Sequence, residues 1–573
     1  MSPEDKAGAP KAPPPGPARP APKHPGSVTV TVDGKEVVAK PGTNMITAAK
    51  TVGADIPYYC WHHRLSIAAN CRMCLVEAST SPKLVPACQT SLQEGMVIRT
   101  DTARVAESRR SVMEFLLLNH PVDCAICDQA GECKLEDYYQ RMDARPSRLE
   151  GEKILRDKRK VLGPLVVLDQ ERCVLCTRCV RFMDEVAKEP QLGVFARGSD
   201  EHIDVFPGRQ LTSNYSGNVV DICPVGALLN RDFRFRARTW FLSTVASVCT
   251  GCSKGCSTFV DFLGQESYRY RPRENEAINQ SWMCDQGRLS YKPLNLERVS
   301  TPAVGRGEDR REVTTAEALA RATGQLKAMA GTAELAVLVS PVCSNEDLLA
   351  GLTFAKDALG VRSVYVGGRP DGEADRFLMA ADKNPNRRGL QWIAAGFGLA
   401  LRPFAELTKS IGGGKVKALY VLGAEVPAPA AEVAAALAKV EFVVLQATNL
   451  SPLTAQADVL LPAATHVEDE GTFTQADGIT QRFRRAYPPR APAQSHWKWA
   501  ADIMREFGFP VTLASARDVF LEMAPRVPEL AGFDWDREAP PLKTTRGINP
   551  LPSAADGRPP GHREFGVPRV RGI

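Results

Sequence analysis

Hydrophobic and polar positions alternate from residue 27 onward: Val28, Val30 and Val32 fall on one face, Asp33-Gly34 interrupts, and Glu36-Val37-Val38 resumes. Strand, Asp-Gly turn and strand make the strongest short hairpin signal a sequence offers. After Pro41-Gly42, residues 44–52 read as a short helix. Val105, Val112, Met113, Leu116 and Leu117 then recur at helical spacing, which predicts a helix over 103–118 with one apolar stripe. Pro121 disfavours α geometry at the residue before it, so the helix ends and His120 falls on an extended link. Beyond residue 300 the texture changes to short Val/Leu-rich runs at 335–340, 363–366, 418–422 and 442–445, separated by Ala-rich helical stretches. That is the sign of parallel strands with crossover helices.

The pattern fades at both ends. Residues 1–26 are Pro/Ala/Gly-rich and cannot bury enough apolar surface to order themselves, so a flexible tail is expected there; residues 541–573 are a basic, Pro/Gly-rich tail. Residues 145–160 form a basic linker, expected to be a solvated connector. With 573 residues, 44% of them hydrophobic, the chain can hold about four domains with ordinary cores. No basic-then-apolar signal segment opens it and no apolar run approaches the ~18 residues of a spanning helix. A soluble, cytoplasmic-side protein, peripheral to a membrane assembly, is therefore expected. The formal net charge of +6 resides in the two tails, which leaves a neutral body and makes nucleic acid an unexpected partner.

The cysteines change the picture. Fifteen of the sixteen lie between Cys60 and Cys284, many in C-x2-C units, and without a secretory signal this points to metal ligation rather than disulfides. Cys60, Cys71, Cys74 and Cys88 contribute single thiolates around one central C-x2-C on a hairpin-bearing domain, which suits a plant-ferredoxin-type [2Fe–2S] cluster better than a zinc ribbon. His62 and His63 stand nearby and read as loop histidines, because four thiolates already complete the site. Cys124, Cys127 and Cys133 lack a fourth cysteine, and His120 stands four residues before the first, so a [4Fe–4S] cluster with one histidine ligand is expected. Neutral imidazole in place of a thiolate should by itself raise the reduction potential.

Cys173, Cys176 and Cys179, with distant Cys223-Pro224, match half of a two-cluster bacterial ferredoxin. The positions that would hold the other cluster are Met183, Ser213, Ser216 and Val219, so one cluster has been lost and one [4Fe–4S] centre kept. Cys249, Cys252, Cys256 and Cys284 form a last group, three on a Gly-rich loop, again suited to [4Fe–4S]. Cys343 has no partner and reads as a structural thiol. No G-x-G-x-x-G follows a strand and no P-loop appears, so NADH, flavin and ATP have no recognisable site of their own.

Cys60, Cys71-Arg-Met-Cys74, the His120/Cys124/Cys127/Cys133 set and the Cys173 triplet with Cys223-Pro224 together resemble the large iron–sulfur subunit of respiratory complex I, the 75-kDa type of NADH–quinone oxidoreductase. The remainder resembles the molybdopterin oxidoreductase fold, most clearly from Thr454 to Pro462, Glu470 to Phe473 and Gly478 to Arg482. The resemblance implies a multidomain α+β and α/β protein: a [2Fe–2S] β-grasp ferredoxin-like domain over 27–104, a His/Cys3 segment over 105–145, a half-emptied ferredoxin-like domain over 146–240 and a compact molybdopterin-oxidoreductase-like domain over 241–540. It implies an electron-transfer subunit carrying one [2Fe–2S] and three [4Fe–4S] clusters, with no independent active site. It further implies a flavin/NADH-binding subunit, other peripheral-arm subunits and a quinone-reducing arm as partners. Membrane association would come only through the complex, on the cytoplasmic side of the inner (plasma) membrane.

An NAD-linked formate dehydrogenase is the main rival, and a hydrogenase diaphorase subunit the second. In the catalytic pterin enzymes a lysine follows the last cluster cysteine by two residues, whereas Gln286 stands here. Their metal-binding Cys or selenocysteine is missing from 364–378, and Cys343 precedes the helix it should follow. No molybdopterin is therefore expected.

Overall fold

The computed structural model describes residues 26–142 and 145–536; the C-terminal tail, and the N-terminal one up to residue 25, lie outside the described residues. The predicted hairpin forms as Val28–Val32 paired antiparallel with Lys35–Ala39. Asp33 and Gly34 both take positive φ, 47° and 80°, as a tight two-residue hairpin turn requires. The hairpin is one edge of a five-stranded mixed sheet, in the order Lys35–Ala39, Val28–Val32, Val97–Arg99, Leu75–Ala78, Ser81–Pro86. The helix Met45–Thr51, N-capped by Asn44, packs its Met45, Ile46 and Ala49 into a core with Val30, Val32, Val76 and Ile98. This is the β-grasp arrangement expected for the first domain.

The second predicted helix runs Ala103–Leu117 behind an N-cap at Thr102, and the chain turns off before Pro121 as expected. The basic stretch after it is largely exposed, as a solvated connector would be, but two of its lysines are anchored. Lys153 donates to the carbonyls of Leu117 (2.9 Å) and Leu118 (2.8 Å), satisfying orphan acceptors at the helix end. Lys158 reaches Asp123 (2.5 Å) and Glu171 (2.6 Å). The linker is thus a strap across the segment that carries His120 and Cys124. Composition alone hides this, since each lysine finds its acceptor on a distant element.

Residues 160–230 contain a small antiparallel sheet, Leu228–Asn230, Val166–Leu168 and Lys160–Val161, with the short helices Arg178–Arg181 and Gly217–Ile222 bearing on one core. A three-stranded antiparallel sheet follows: Ser243–Val248, Ser257–Leu263 and Glu266–Pro272. The last region is built on an eight-stranded sheet. Six of its strands are parallel, in the spatial order Val459–Pro462, Phe442–Ala447, Ala418–Leu422, Leu335–Val339, Ser363–Val366, Ala400–Pro403, and the pair Ala303–Val304 and Arg311–Glu312 completes one edge antiparallel. The central strands are buried along their whole length because helices cover both faces: Val337 and Val339 point into one core, Ala336 and Leu338 into the other. Among the described residues, no helix is long and apolar enough to cross a membrane.

Candidate iron–sulfur sites

The first group forms where the β-grasp strands end. Cys74 leads into Leu75–Ala78 and Cys88 follows Ser81–Pro86, with the Ala87 amide donating to the Cys74 carbonyl at 3.1 Å. Ala69 and Arg72 take left-handed φ (50° and 56°), so the loop from Cys60 curls back and brings Cys71 to the same place. Cys60, Cys74 and Cys88 are buried and Cys71 is half-buried. Hydrogen bonds from Cys71 and Cys88 hold the Cys60 thiol well below the usual thiol range, and a hydrogen bond from Cys88 lowers that of Cys74. All four sulfurs are therefore one interacting set. His63 pairs with Glu274 at 2.9 Å and His62 stacks on Trp282 at 5.4 Å between ring centroids, in keeping with their reading as loop residues.

In the second group the Cys127 amide donates to the Cys124 carbonyl at 3.3 Å, and Cys133 immediately precedes the helix Lys134–Met142. Burial pushes the Cys133 thiol up to about 12. Burial, with Arg172 nearby, lowers His120 to about 4, so its imidazole is neutral and available as a ligand. The charges of Arg172 and Asp123 act on both His120 and Cys124, and that of Arg172 on Cys127 too, which puts the three in one electrostatic neighbourhood. Cys124 is the most exposed of the cysteines.

The third group is enclosed. Cys173, Cys176, Cys179 and Cys223 line one small cavity with Leu168, Ile203 and other apolar side chains. Leu175 and Thr177 adopt left-handed φ (48° and 57°), which wraps the loop around the cavity and lets the Leu175 amide donate to the Cys173 sulfur at 3.4 Å. Burial pushes the Cys173 thiol to about 12 and Cys176 to about 11. The lost-cluster positions are filled: Met183 and Val219 are core side chains, and Ser213 and Ser216 are buried.

The fourth group likewise lines one cavity, Cys249, Cys252, Cys256 and Cys284 around Gly251 and Gly287. The amides of Gly251 and Gly287 donate to the Cys249 (3.4 Å) and Cys284 (3.3 Å) sulfurs. A Cβ on Gly287 would stand 3.0 Å from the Cys249 sulfur, so glycine is what lets the helix Asp285–Leu289 approach. The cluster loop is gripped from the α/β region: Gln481 donates to the Gly255 carbonyl (2.7 Å) and Ala476 to that of Ser253 (2.9 Å).

The donor sets fit iron–sulfur clusters. Thiols that burial raises, as at Cys133, Cys173 and Cys249, stay protonated and neutral unless a cationic core compensates the thiolates, and amide-to-sulfur hydrogen bonds are what such a core's ligands accept. A pterin fits less well. The cavity above Thr250, of about 350 Å³, sets the carboxylates of Asp347, Glu425 and Asp469 against the single cation Arg369, the wrong balance for a phosphate-bearing cofactor. Cys343 borders this cavity, its thiol directed to the Leu422 carbonyl.

Neighbouring sites touch. Arg181 donates to the carbonyls of both Cys60 and Cys176, the Lys134 amide donates to the Pro224 carbonyl at 3.0 Å, and a Cβ on Gly226 would lie 2.4 Å from the Cys127 sulfur. Cysteine spacing gave no sign of Arg172, Arg178, Arg181, Gly226, Gly251 or Gly287, although each lies within three residues of a ligand position.

Fold and sites together define a class: ferredoxin-like modules with candidate iron–sulfur sites, joined to an α/β domain. Family models place it further: residues 26–103 match the 2Fe-2S iron-sulfur cluster binding domain, 109–148 the NADH-ubiquinone oxidoreductase-G iron-sulfur binding region, 163–229 the ferredoxin-like domain of NADH-quinone oxidoreductase subunit 3, and 398–506 molybdopterin oxidoreductase. Over about half its length the chain is similar to the large iron–sulfur subunits, of 75–78 kDa, of NADH–quinone oxidoreductases. It is 40% identical over 317 residues to the 78 kDa mitochondrial subunit of Candida albicans, covering 53% of this chain and 44% of that one. It is 41% identical over 305 residues to the corresponding NADH-quinone oxidoreductase subunit of Rickettsia conorii, covering 53% and 45%. The chain thus spans less than half the length of these relatives. A solved NAD+-reducing [NiFe]-hydrogenase is 26% identical, covers 37% of this chain and 91% of its own, and has a TM-score of 0.34.

Proposed function

We propose that the chain relays single electrons within NADH–quinone oxidoreductase, from a flavin subunit toward quinone. One observation carries the reading: three of the cysteine groups are hydrogen-bonded to one another through their own ligand loops, the arrangement a relay needs and a set of independent structural sites does not. Cys60, Cys71, Cys74 and Cys88 would hold a [2Fe–2S] cluster. His120 with Cys124, Cys127 and Cys133, the Cys173/Cys176/Cys179/Cys223 set, and Cys249 with Cys252, Cys256 and Cys284 would each hold a [4Fe–4S] cluster. The clusters supply the one-electron chemistry; the chain supplies spacing, burial and charge, and none of its side chains acts as acid, base or nucleophile.

On this reading the chain divides near residues 104, 145 and 240, with the α/β domain covering the last cluster and docking neighbours. Cys124, exposed between exposed Val122 (90%) and Ile126 (63%), supports an approach by a partner's redox centre there. The partners are the flavin/NADH-binding subunit, other peripheral-arm subunits and the quinone-reducing arm, at the cytoplasmic face of the membrane.

Anaerobic metal analysis tests the reading. One [2Fe–2S] and three [4Fe–4S] clusters correspond to about 14 Fe per chain and no molybdenum or tungsten. Stoichiometric molybdenum would favour the formate-dehydrogenase alternative, and about 10 Fe would remove one cubane.

A further inference from the structure

Arg178 is only 4% exposed, and its guanidinium lies between two cluster sites. One nitrogen donates to the carbonyl of Trp61 (2.5 Å), next to Cys60; the other donates to that of Ile222 (3.0 Å), next to Cys223. Arg181, one helical turn on, repeats the bridge: its Nη2 donates to the carbonyls of Cys60 (2.6 Å) and Cys176 (3.1 Å), and its Nη1 to that of Ser66. The loops are tied once more where Asn70 donates to the Leu175 carbonyl at 3.0 Å. Among the described residues no carboxylate forms an ion pair with either arginine. Arg178 also keeps a buried Nε–H without an acceptor.

Besides these carbonyls, Arg178 meets only the Tyr58 ring face (5.7 Å) and Arg181 the Thr177 hydroxyl (3.3 Å); positive charge held by neutral partners, fully buried at Arg178 and half-buried at Arg181, is costly unless negative charge lies close by. Both clusters would supply it, because four thiolates outweigh the charge of either iron–sulfide core, and each added electron makes the site more anionic. We propose that Arg178 and Arg181 are positioning residues for electron transfer between the [2Fe–2S] and Cys173-group centres. They fix the two sites face to face and hold positive charge between them, raising both reduction potentials together. The clusters, when bound, would exchange a single electron, one centre oxidised as the other is reduced, with no bond made and no proton moved at these arginines.

The inference rests on the electron-relay reading, and potentiometric EPR on the loaded full-length chain separates the two. If the unmodified protein shows no [2Fe–2S] and [4Fe–4S] signals, the relay reading itself fails. With those signals present, Arg178→Met and Arg181→Met should each shift both the [2Fe–2S] and Cys173-group couples about tenfold toward the oxidised form, 59 mV for a one-electron couple. Arg178→Lys, which keeps the charge, should recover most of the shift, and the Cys249-group couple should stay in place. Potentials that do not move in assembled variants overturn the proposal. A measurement on unmodified protein covers the case in which the variants do not assemble: dipolar EPR should find the [2Fe–2S] spin coupled most strongly to the Cys173-group centre, and strongest coupling to another centre would overturn the bridge.

Discussion

The Ser216 hydroxyl donates to the Asp285 carboxylate at 2.5 Å. On the two-cluster ferredoxin template Ser216 occupies a ligand position of the lost cluster, while Asp285 follows the last cysteine of a different site. On that reading the emptied half serves as a dock for the Cys284 segment. The Gly217 amide donates to Asp285 (2.8 Å), the Asp285 amide to the Asn214 carbonyl (2.6 Å), and the Asn218 side chain both donates to and accepts from the backbone of Met283. Ser216→Ala leaves a half-buried carboxylate, still bonded by the Gly217 amide, short of one partner, a loss of about 1 kcal/mol. Denaturant unfolding should show that loss, and the Cys249-group EPR signal should decay faster under chelation than in the unmodified protein while the [2Fe–2S] signal persists.

His120 gives a ligand test with two arms. His120→Ala should abolish one [4Fe–4S] signal and spare the others. His120→Cys should restore a cubane at lower potential, since a thiolate replaces neutral imidazole. Unchanged spectra in both variants would remove His120 from the ligand set.

Gly226 tests the contact between sites. An added Cβ would lie 2.4 Å from the Cys127 sulfur and 3.0 Å from Gln129 Cβ. Gly226→Ala should therefore broaden or delete the His120-group signal while leaving the Cys249 group intact, as low-temperature EPR can resolve.

The α/β region carries a pH dependence of its own. Glu346 is fully buried at the start of the helix Asn345–Thr353, where it accepts from the Thr472 amide and hydroxyl (both 2.7 Å), and burial pushes its carboxyl up to about 8. Folded protein then keeps a proton that the unfolded chain releases above the ordinary glutamate value of 4.5. This group's share of the stability is complete below that value and falls as pH rises to about 8, by at most about 1.4 kcal/mol per pH unit. Glu346→Gln mimics the protonated carboxyl, so its unfolding midpoint should gain on the unmodified protein as pH rises from 5 to 8. A constant difference across that range would contradict the assignment.

Much of this was legible in the sequence where the signal is local. Asp33-Gly34 marks its hairpin because the turn needs positive φ at both residues, and the central parallel strands stand out because burial on both faces demands unbroken Val/Leu runs. The edge strand Ala400–Pro403 escaped notice, since a strand open on one side tolerates Arg402 and Pro403. Ligand grouping followed from spacing, but what joins the groups did not. Nothing in the spacing singles out Arg178, whose partner Trp61 lies 117 positions away, and Lys153 and Lys158 look like solvated charge until their acceptors are in place.

Spin-quantified low-temperature EPR of the fully reduced, isolated chain tests the central claim most directly. The expected result is four interacting paramagnets per chain, one relaxing as a [2Fe–2S] centre and three as [4Fe–4S] centres, in a protein that does not oxidise NADH unaided. Fewer than four cluster signals, or NADH oxidation by the chain alone, would contradict it.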